Sequence, residues 1–208
     1  MDDRLGTGIE QLDQLLDGGI PPGSVVALTA DPASGSELIL YELTAARGSL
    51  YLTADRDEVA VKDALASTVA PVGDPTVRDV SGPEPLETAN RLFRALPQGA
   101  NLIVDPVDPL ERRDVDRYRT FLNDLRAHMA NTGSIAVLHC LDGVDVPENR
   151  DTTEHMADVV FDLRTTVRGA HLDNRLAVPK FRGGRVPTDA IKLDLSGRVT
   201  VEATRDIA

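Results

Sequence analysis

Short apolar runs alternating with helical patterns constrain this chain more than any other feature. Ser24–Thr29, Leu50–Thr53, Thr76–Val80, Leu102–Asp105 and Ser134–His139 read as strands, several of them continuously apolar. A strand apolar on both faces belongs in a sheet covered on both sides, which is how parallel sheets with crossover helices are built. The segments between supply those helices, at Ser36–Ala46 and at Glu58–Val69. A third carries Leu86, Ala89, Phe93 and Leu96 on one side. The longest, Asp114–Ala130, sets Val115, Tyr118, Leu122, Leu125 and Met129 at helical spacing. The pattern predicts an α/β fold, a twisted and mostly parallel sheet flanked by helices.

Both ends of the chain add detail. Thr7 followed by Glu10 has the spacing of a capping box, and Ile9, Leu12, Leu15 and Leu16 then make one apolar face. Gly18-Gly19 stops that helix, and Pro21-Pro22-Gly23 turns the chain into the first strand. Near the other end Ile191, Leu193 and Leu195 alternate with polar residues, Ser196-Gly197 supplies a two-residue turn, and Val199 and Val201 alternate again. That is an antiparallel hairpin appended to a parallel sheet. The polar stretch Asp142–Thr153 reads as a mobile surface loop. No repeat or linker divides the sequence, so residues 1–208 are expected to form one domain.

Charge narrows the partners. Acids number 34 against 22 bases, a net charge of -12, and only Lys62, Lys180 and Lys192 are lysines while 24 acids are Asp. Such an Asp-rich, Lys-poor chain resembles proteins of salt-accumulating haloarchaea, where the Debye length falls to about 3 Å and self-repulsion is screened. The same screening weakens phosphate-driven nucleic-acid binding. No apolar run approaches the ~20 residues of a membrane span, and Met1-Asp2-Asp3-Arg4 lacks a signal-peptide core, so a soluble cytoplasmic protein without a membrane partner is expected. The lone Cys140 reads as a buried small residue.

The run Arg4-Leu5-Gly6-Thr7-Gly8-Ile9, continuing through Leu12-Asp13-Gln14-Leu15-Leu16-Asp17-Gly18-Gly19-Ile20-Pro21-Pro22-Gly23-Ser24, resembles the opening of the KaiC/RadA branch of RecA-superfamily P-loop ATPases. The resemblance continues at Leu102-Ile103-Val104-Asp105 (a Walker B strand), Ala157-Asp158-Val159-Val160, and Lys180-Phe181-Arg182-Gly183, so it covers nearly the whole chain. It implies a RecA core with a P-loop at the carboxyl end of a strand, and it implies ATP and Mg²⁺ as ligands.

A working P-loop needs glycines that let backbone N–H groups wrap phosphate, a Lys for the β/γ charge, and a hydroxyl on Mg²⁺. In the register set by the preceding strand, that motif falls on Ala30-Asp31-Pro32-Ala33-Ser34-Gly35-Ser36-Glu37, where only Gly35 matches. Ser36 replaces the Lys and Glu37 the Mg²⁺-binding hydroxyl. Losing the Lys removes charge stabilisation from phosphoryl transfer, and the carboxylate repels a γ-phosphate. A carboxylate at a helix N-terminus is itself stabilised by about 0.3–1 kcal/mol. Glu37, with Asp31, is therefore expected to supply negative charge in place of a phosphate, ordering the loop without a required cofactor. The competing reading has Glu37 bind Mg²⁺ directly.

The resemblance also implies a carboxylate that polarises the attacking water after the second strand. Asp55 stands there, with Arg56 beside it as an expected ion-pair partner. Asp105 keeps the Walker B position as an Mg²⁺ ligand, or else caps a turn before Pro106. His139 is either a sensor beside the loop or a satisfied core histidine. Lys180 and Arg182, two residues apart and so on one face of a strand, match the pair that in KaiC-like rings reaches a neighbour's γ-phosphate; pairing with surface Asp residues is the alternative.

Three functions fit these residues. The first is a non-hydrolysing regulatory or scaffold subunit that oligomerises with itself or with an active paralogue. The second is a slow, divergent ATPase or kinase of KaiC type. The third is a RadA-like recombination accessory binding DNA through Asp142–Thr153. Asp142, Asp145, Glu148 and Asp151 against the single Arg150, and an aromatic content of 3%, argue against nucleic acid.

Overall fold

The computed structural model describes residues 4–202; residues 1–3 and 203–208, at the ends of the expected domain, lie outside the described residues. The helices are α1 (Glu10–Leu15), α2 (Glu37–Ala46), α3 (Glu58–Ser67), α4 (Pro85–Phe93), α5 (Asp108–Glu111), α6 (Val115–Thr132) and α7 (Arg150–Met156). The strands are β1 (Val25–Ala30), β2 (Ser49–Thr53), β3 (Thr76–Asp79), β4 (Asn101–Asp105), β5 (Ile135–Leu141), β6 (Val159–Arg168), β7 (His171–Phe181), β8 (Ile191–Asp194) and β9 (Thr200–Val201). They form one sheet in the order β3-β2-β4-β5-β1-β6-β7-β8-β9. Pairing is parallel from β3 to β6 and antiparallel from β6 to β9.

The apolar strands feed two cores, one on each face. Val26 and Leu28 of β1 pack with Ile9, Leu12, Ile39, Leu40 and Val61. Val25 and Ala27, their neighbours on the same strand, pack with Phe93, Tyr118, Leu122, Leu125 and Met129. This alternation is the period of two that a strand enforces. Fully burying each such side chain contributes about 1.5–3 kcal/mol. Cys140 is buried, as read.

Several local expectations change. Thr7 does not form a capping box with Glu10. Its N–H and hydroxyl both donate to Asp13 Oδ1, at 2.7 and 2.8 Å, because the chain before α1 folds back over the helix. Leu15 is 48% exposed and lies off the buried face of Leu12 and Leu16. β5 continues past His139 to Leu141. The link between β8 and β9 runs over residues 195–199 instead of two residues, with Ser196 N–H donating to Asp194 Oδ1 at 2.8 Å.

The last four residues of the stretch read as a mobile loop, 150–153, are helical and open α7. α7 is pinned by Arg150, whose guanidinium donates to Glu111 and Asp108 at 2.9–3.1 Å and to the Leu141 carbonyl at 2.9 Å. Glu111 is fully buried and also accepts from the Thr153 hydroxyl. A long β6–β7 hairpin, turning at Gly169 with φ +63°, also lies beyond what the pattern announced.

Candidate functional site

The order β4-β5-β1 sets the carboxyl ends of three strands side by side. Asp105 closes β4, His139 stands near the end of β5, and residues 30–36 leave β1 and enter α2. β2 lies on the far side of β4, with Thr53 opposite Asp105. Tyr51 on β2 and Arg56 just after it thereby reach the same point.

One hydrogen-bonded chain joins them. Ser34 Oγ donates to Ser36 Oγ at 3.0 Å, Ser36 Oγ lies 3.0 Å from His139 Nε2, and His139 Nδ1 lies 2.6 Å from Asp105 Oδ1. Asp105 Oδ2 accepts from the Tyr51 hydroxyl and from Arg56 Nη2 at 2.7 Å. Arg56 Nη1 in turn lies 3.0 Å from Glu37 Oε1. The connectivity is that of a Ser-His-Asp triad. Yet Ser36, His139 and Asp105 are only 3%, 3% and 2% exposed, so the serine is held in the interior and not presented to a substrate.

Burial raises the Asp105 carboxyl, but hydrogen bonds from His139 and Tyr51 and the Arg56 charge outweigh it and hold it below the ordinary aspartate value. Burial works to lower the Arg56 guanidinium, and Asp105 and Glu37 more than reverse that. The Tyr51 phenol is pushed well up by burial and by Asp105 beside it. These groups fix one protonation pattern: Asp105 ionised, Tyr51 neutral, Arg56 charged.

The loop is held by its own residues. Asp31 Oδ1 accepts from the Ala33 N–H at 2.7 Å, and the Asp31 carbonyl accepts from the Ser34 N–H at 2.9 Å. Glu37, in the first turn of α2, reaches Arg56, and the carboxylate that accepts from a loop N–H is that of Asp31. A Cβ on Gly35 would stand 3.2 Å from the Leu195 Cβ, which shows how closely the β8–β9 link lies on the loop glycine. Pro32 is packed similarly by Gly143.

Arg56 does not pair with Asp55 as the sequence suggested; it turns to Glu37 and Asp105. Asp55 is exposed and borders a cavity of about 310 Å³ with Pro32, Pro106, Asp108 and Gly143. Asp105 is bound by Tyr51, Arg56 and His139 instead of capping a turn. His139 has a partner on each ring nitrogen.

Lys180 and Arg182 lie at the opposite end of the strands from the loop, since Lys180 pairs with Val160 near the start of β6 and β6 runs parallel to β1. Lys180 Nζ donates to the Glu154 and His155 carbonyls at 2.9 and 2.7 Å. Arg182 donates to the His155 carbonyl at 3.2 Å and to Asp158 at 3.1 Å. The two cations thus share one target, the carboxyl end of α7, where helix carbonyls favour them.

The residues present do not fit a metal-bound triphosphate. A carboxylate replaces the hydroxyl ligand, both Asp105 oxygens already accept from protein donors, and the Arg56 guanidinium spans Glu37 and Asp105, where a bridging cation would sit. Among the described residues no group of three His, Cys, Asp or Glu is placed to hold a metal ion. No helix among them is long and apolar enough to cross a membrane. The features the sequence did not reveal are the bridging role of Arg56, the Tyr51 bond and the Leu195 contact. The one available signal was Arg56 just after β2 in a sequence with Ser36 where the resembled motif has a lysine.

A protein family described as being of unknown function, DUF7125, matches residues 4–208. The DNA repair protein RadA of Mycobacterium tuberculosis, in two strains, is 41% identical over 54 residues, 24% of this chain and 11% of that protein. The chain therefore spans about a tenth of the length of these curated relatives. Among solved structures, a KaiC-like protein of the archaeon Pyrococcus horikoshii superposes with a TM-score of 0.77 at 17% identity, covering 96% of this chain and 99% of that one. The fold is KaiC-like and RecA-like, as the opening residues implied.

Proposed function

The chain belongs to the family of unknown function DUF7125, and from that premise we propose that it is a RecA-fold regulatory or scaffold subunit that does not hydrolyse nucleotide. The observation that carries this reading is the Arg56 guanidinium held between Glu37 and Asp105. In a hydrolysing relative a divalent ion bridges the loop hydroxyl and the Walker B carboxylate. Here a covalently attached cation takes that role permanently, and the loop is ordered with neither ATP nor Mg²⁺ as a required cofactor. The degenerate Walker A segment then serves to hold β1, β4 and β5 together. Ser36 and Glu37 are its lock.

Such a subunit works through its partners, a second copy of itself or a paralogue with an intact loop. Lys180 and Arg182, at the end of the sheet opposite its own loop, are the residues we assign to a partner's phosphate, which would compete with the α7 carbonyls for the same donors. The RadA similarity supports a recombination role less well, because residues 142–149 carry three acids and no base. The test is a turnover assay with Mg·ATP at molar KCl. The expected rate is indistinguishable from that of an Asp105→Asn variant. A measurable rate abolished by that variant would restore the divergent ATPase or kinase reading, with Asp55 as its base.

A further inference from the structure

The β6–β7 hairpin outruns the rest of the sheet. β1 pairs with β6 only as far as Leu163, and β8 pairs with β7 only from Asn174 onward. Between those limits Thr165 to Arg168 and His171 to Asp173 form a two-stranded ribbon that, among the described residues, pairs with no further strand on either side. An isolated ribbon of this kind is marginal in water. At its tip Val167 and Leu172 sit directly opposite each other and are 74% and 67% exposed.

The ribbon is also cationic on an acidic protein. Residues 164–175 hold Arg164, Arg168 and Arg175 against the single Asp173. The loop over residues 142–148 has the opposite character, with Asp142, Asp145 and Glu148 and no base. It too exposes apolar side chains, Val144 fully and Val146 by 37%. Arg164 pairs with Asp142, which ties the base of the ribbon to the loop within one chain. Arg168 pairs with Asp173 at 3.3 Å and Asp145 with Arg112 at 3.0 Å, yet their side chains remain 70% and 86% exposed.

Adjacent patches that complement each other in charge and share exposed apolar residues suit a two-fold interface, where each copy offers both. We propose that the Val167–Leu172 tip of one chain docks on the Val144 loop of a second copy, and reciprocally, with Arg168 facing the partner loop's acids. The apolar contact carries the affinity in concentrated salt, where exposed charge pairs are screened. This surface is read out by association and the proposed function by nucleotide turnover, so its failure and that of the proposed function are separable.

Sedimentation velocity in molar KCl over a wide concentration range tests it. Self-association is expected, and Val167→Asp with Leu172→Asp should weaken it by about 100-fold or more, with the circular dichroism spectrum unchanged. Should that variant misfold, Val144→Cys and Val167→Cys proteins are mixed and oxidised, Cys140 being buried; a disulfide joining the two species is expected. A monomer at every concentration, association indifferent to the tip substitutions, or no cross-link between the two cysteine variants would overturn the proposal.

Discussion

Asp105→Ala is expected to destabilise the fold by roughly 3–4 kcal/mol, or on the order of 10 °C in Tm for a chain of this size. The substitution strips partners from three groups at once. Tyr51 and His139 are almost wholly buried, so their polar atoms lose hydrogen bonds that water cannot replace. Arg56, with 31% of its side chain exposed, relaxes toward solvent and Glu37, and so contributes the smaller share. The effect depends on pH in a defined direction. Asp105 is held below its ordinary value of 3.8 by folding, so its contribution is present above that value and is lost as pH falls through the lower folded one. Denaturation curves should therefore separate the two proteins fully at neutral pH and converge only below about pH 4. Equal stability of the two proteins at pH 7 would mean that the cluster contributes nothing.

Arg150→Ala should cost a similar amount, about 3–5 kcal/mol by urea denaturation. It leaves Asp108 and the fully buried Glu111 facing each other without a countercharge. Arg150→Lys rescues little, because a point charge cannot reproduce the forked contacts to Glu111, Asp108 and the Leu141 carbonyl. Combining Arg150→Met with Glu111→Gln should recover more than either substitution alone, since the uncompensated charge is the larger part of the penalty. Additive losses would contradict that. The network fastens α7 to β5 and α5, and so holds the 142–149 loop beside Pro32.

The strands were legible because their apolar runs are buried on both faces, and α6 because Tyr118, Leu122, Leu125 and Met129 keep one period over about three turns. α7 was not, for a physical reason. Its buried residues are Arg150 and Thr153, anchored by hydrogen bonds and charge, and hydrophobic periodicity cannot see a polar anchor. The β6–β7 ribbon was missed because most of its outer half is exposed on both faces and alternates nothing. The strand-to-helix register put residues 30–37 between the first strand and the following helix and Asp105 at a strand end, and the elements fall there. The partner of Arg56 was another matter. Asp55 is its neighbour in sequence, but Asp105, 49 residues away, is delivered by the pairing of β2 with β4. Leu195 meets Gly35 only because the sheet carries β8 across to the loop.

Isothermal titration calorimetry of Mg·ATP into the purified chain at molar KCl tests most directly whether Arg56 stands in for the metal. A loop locked by its own arginine and carboxylates gives no saturable heat up to millimolar nucleotide. Saturable binding with a micromolar Kd, in the chain with Arg56 intact, contradicts the lock.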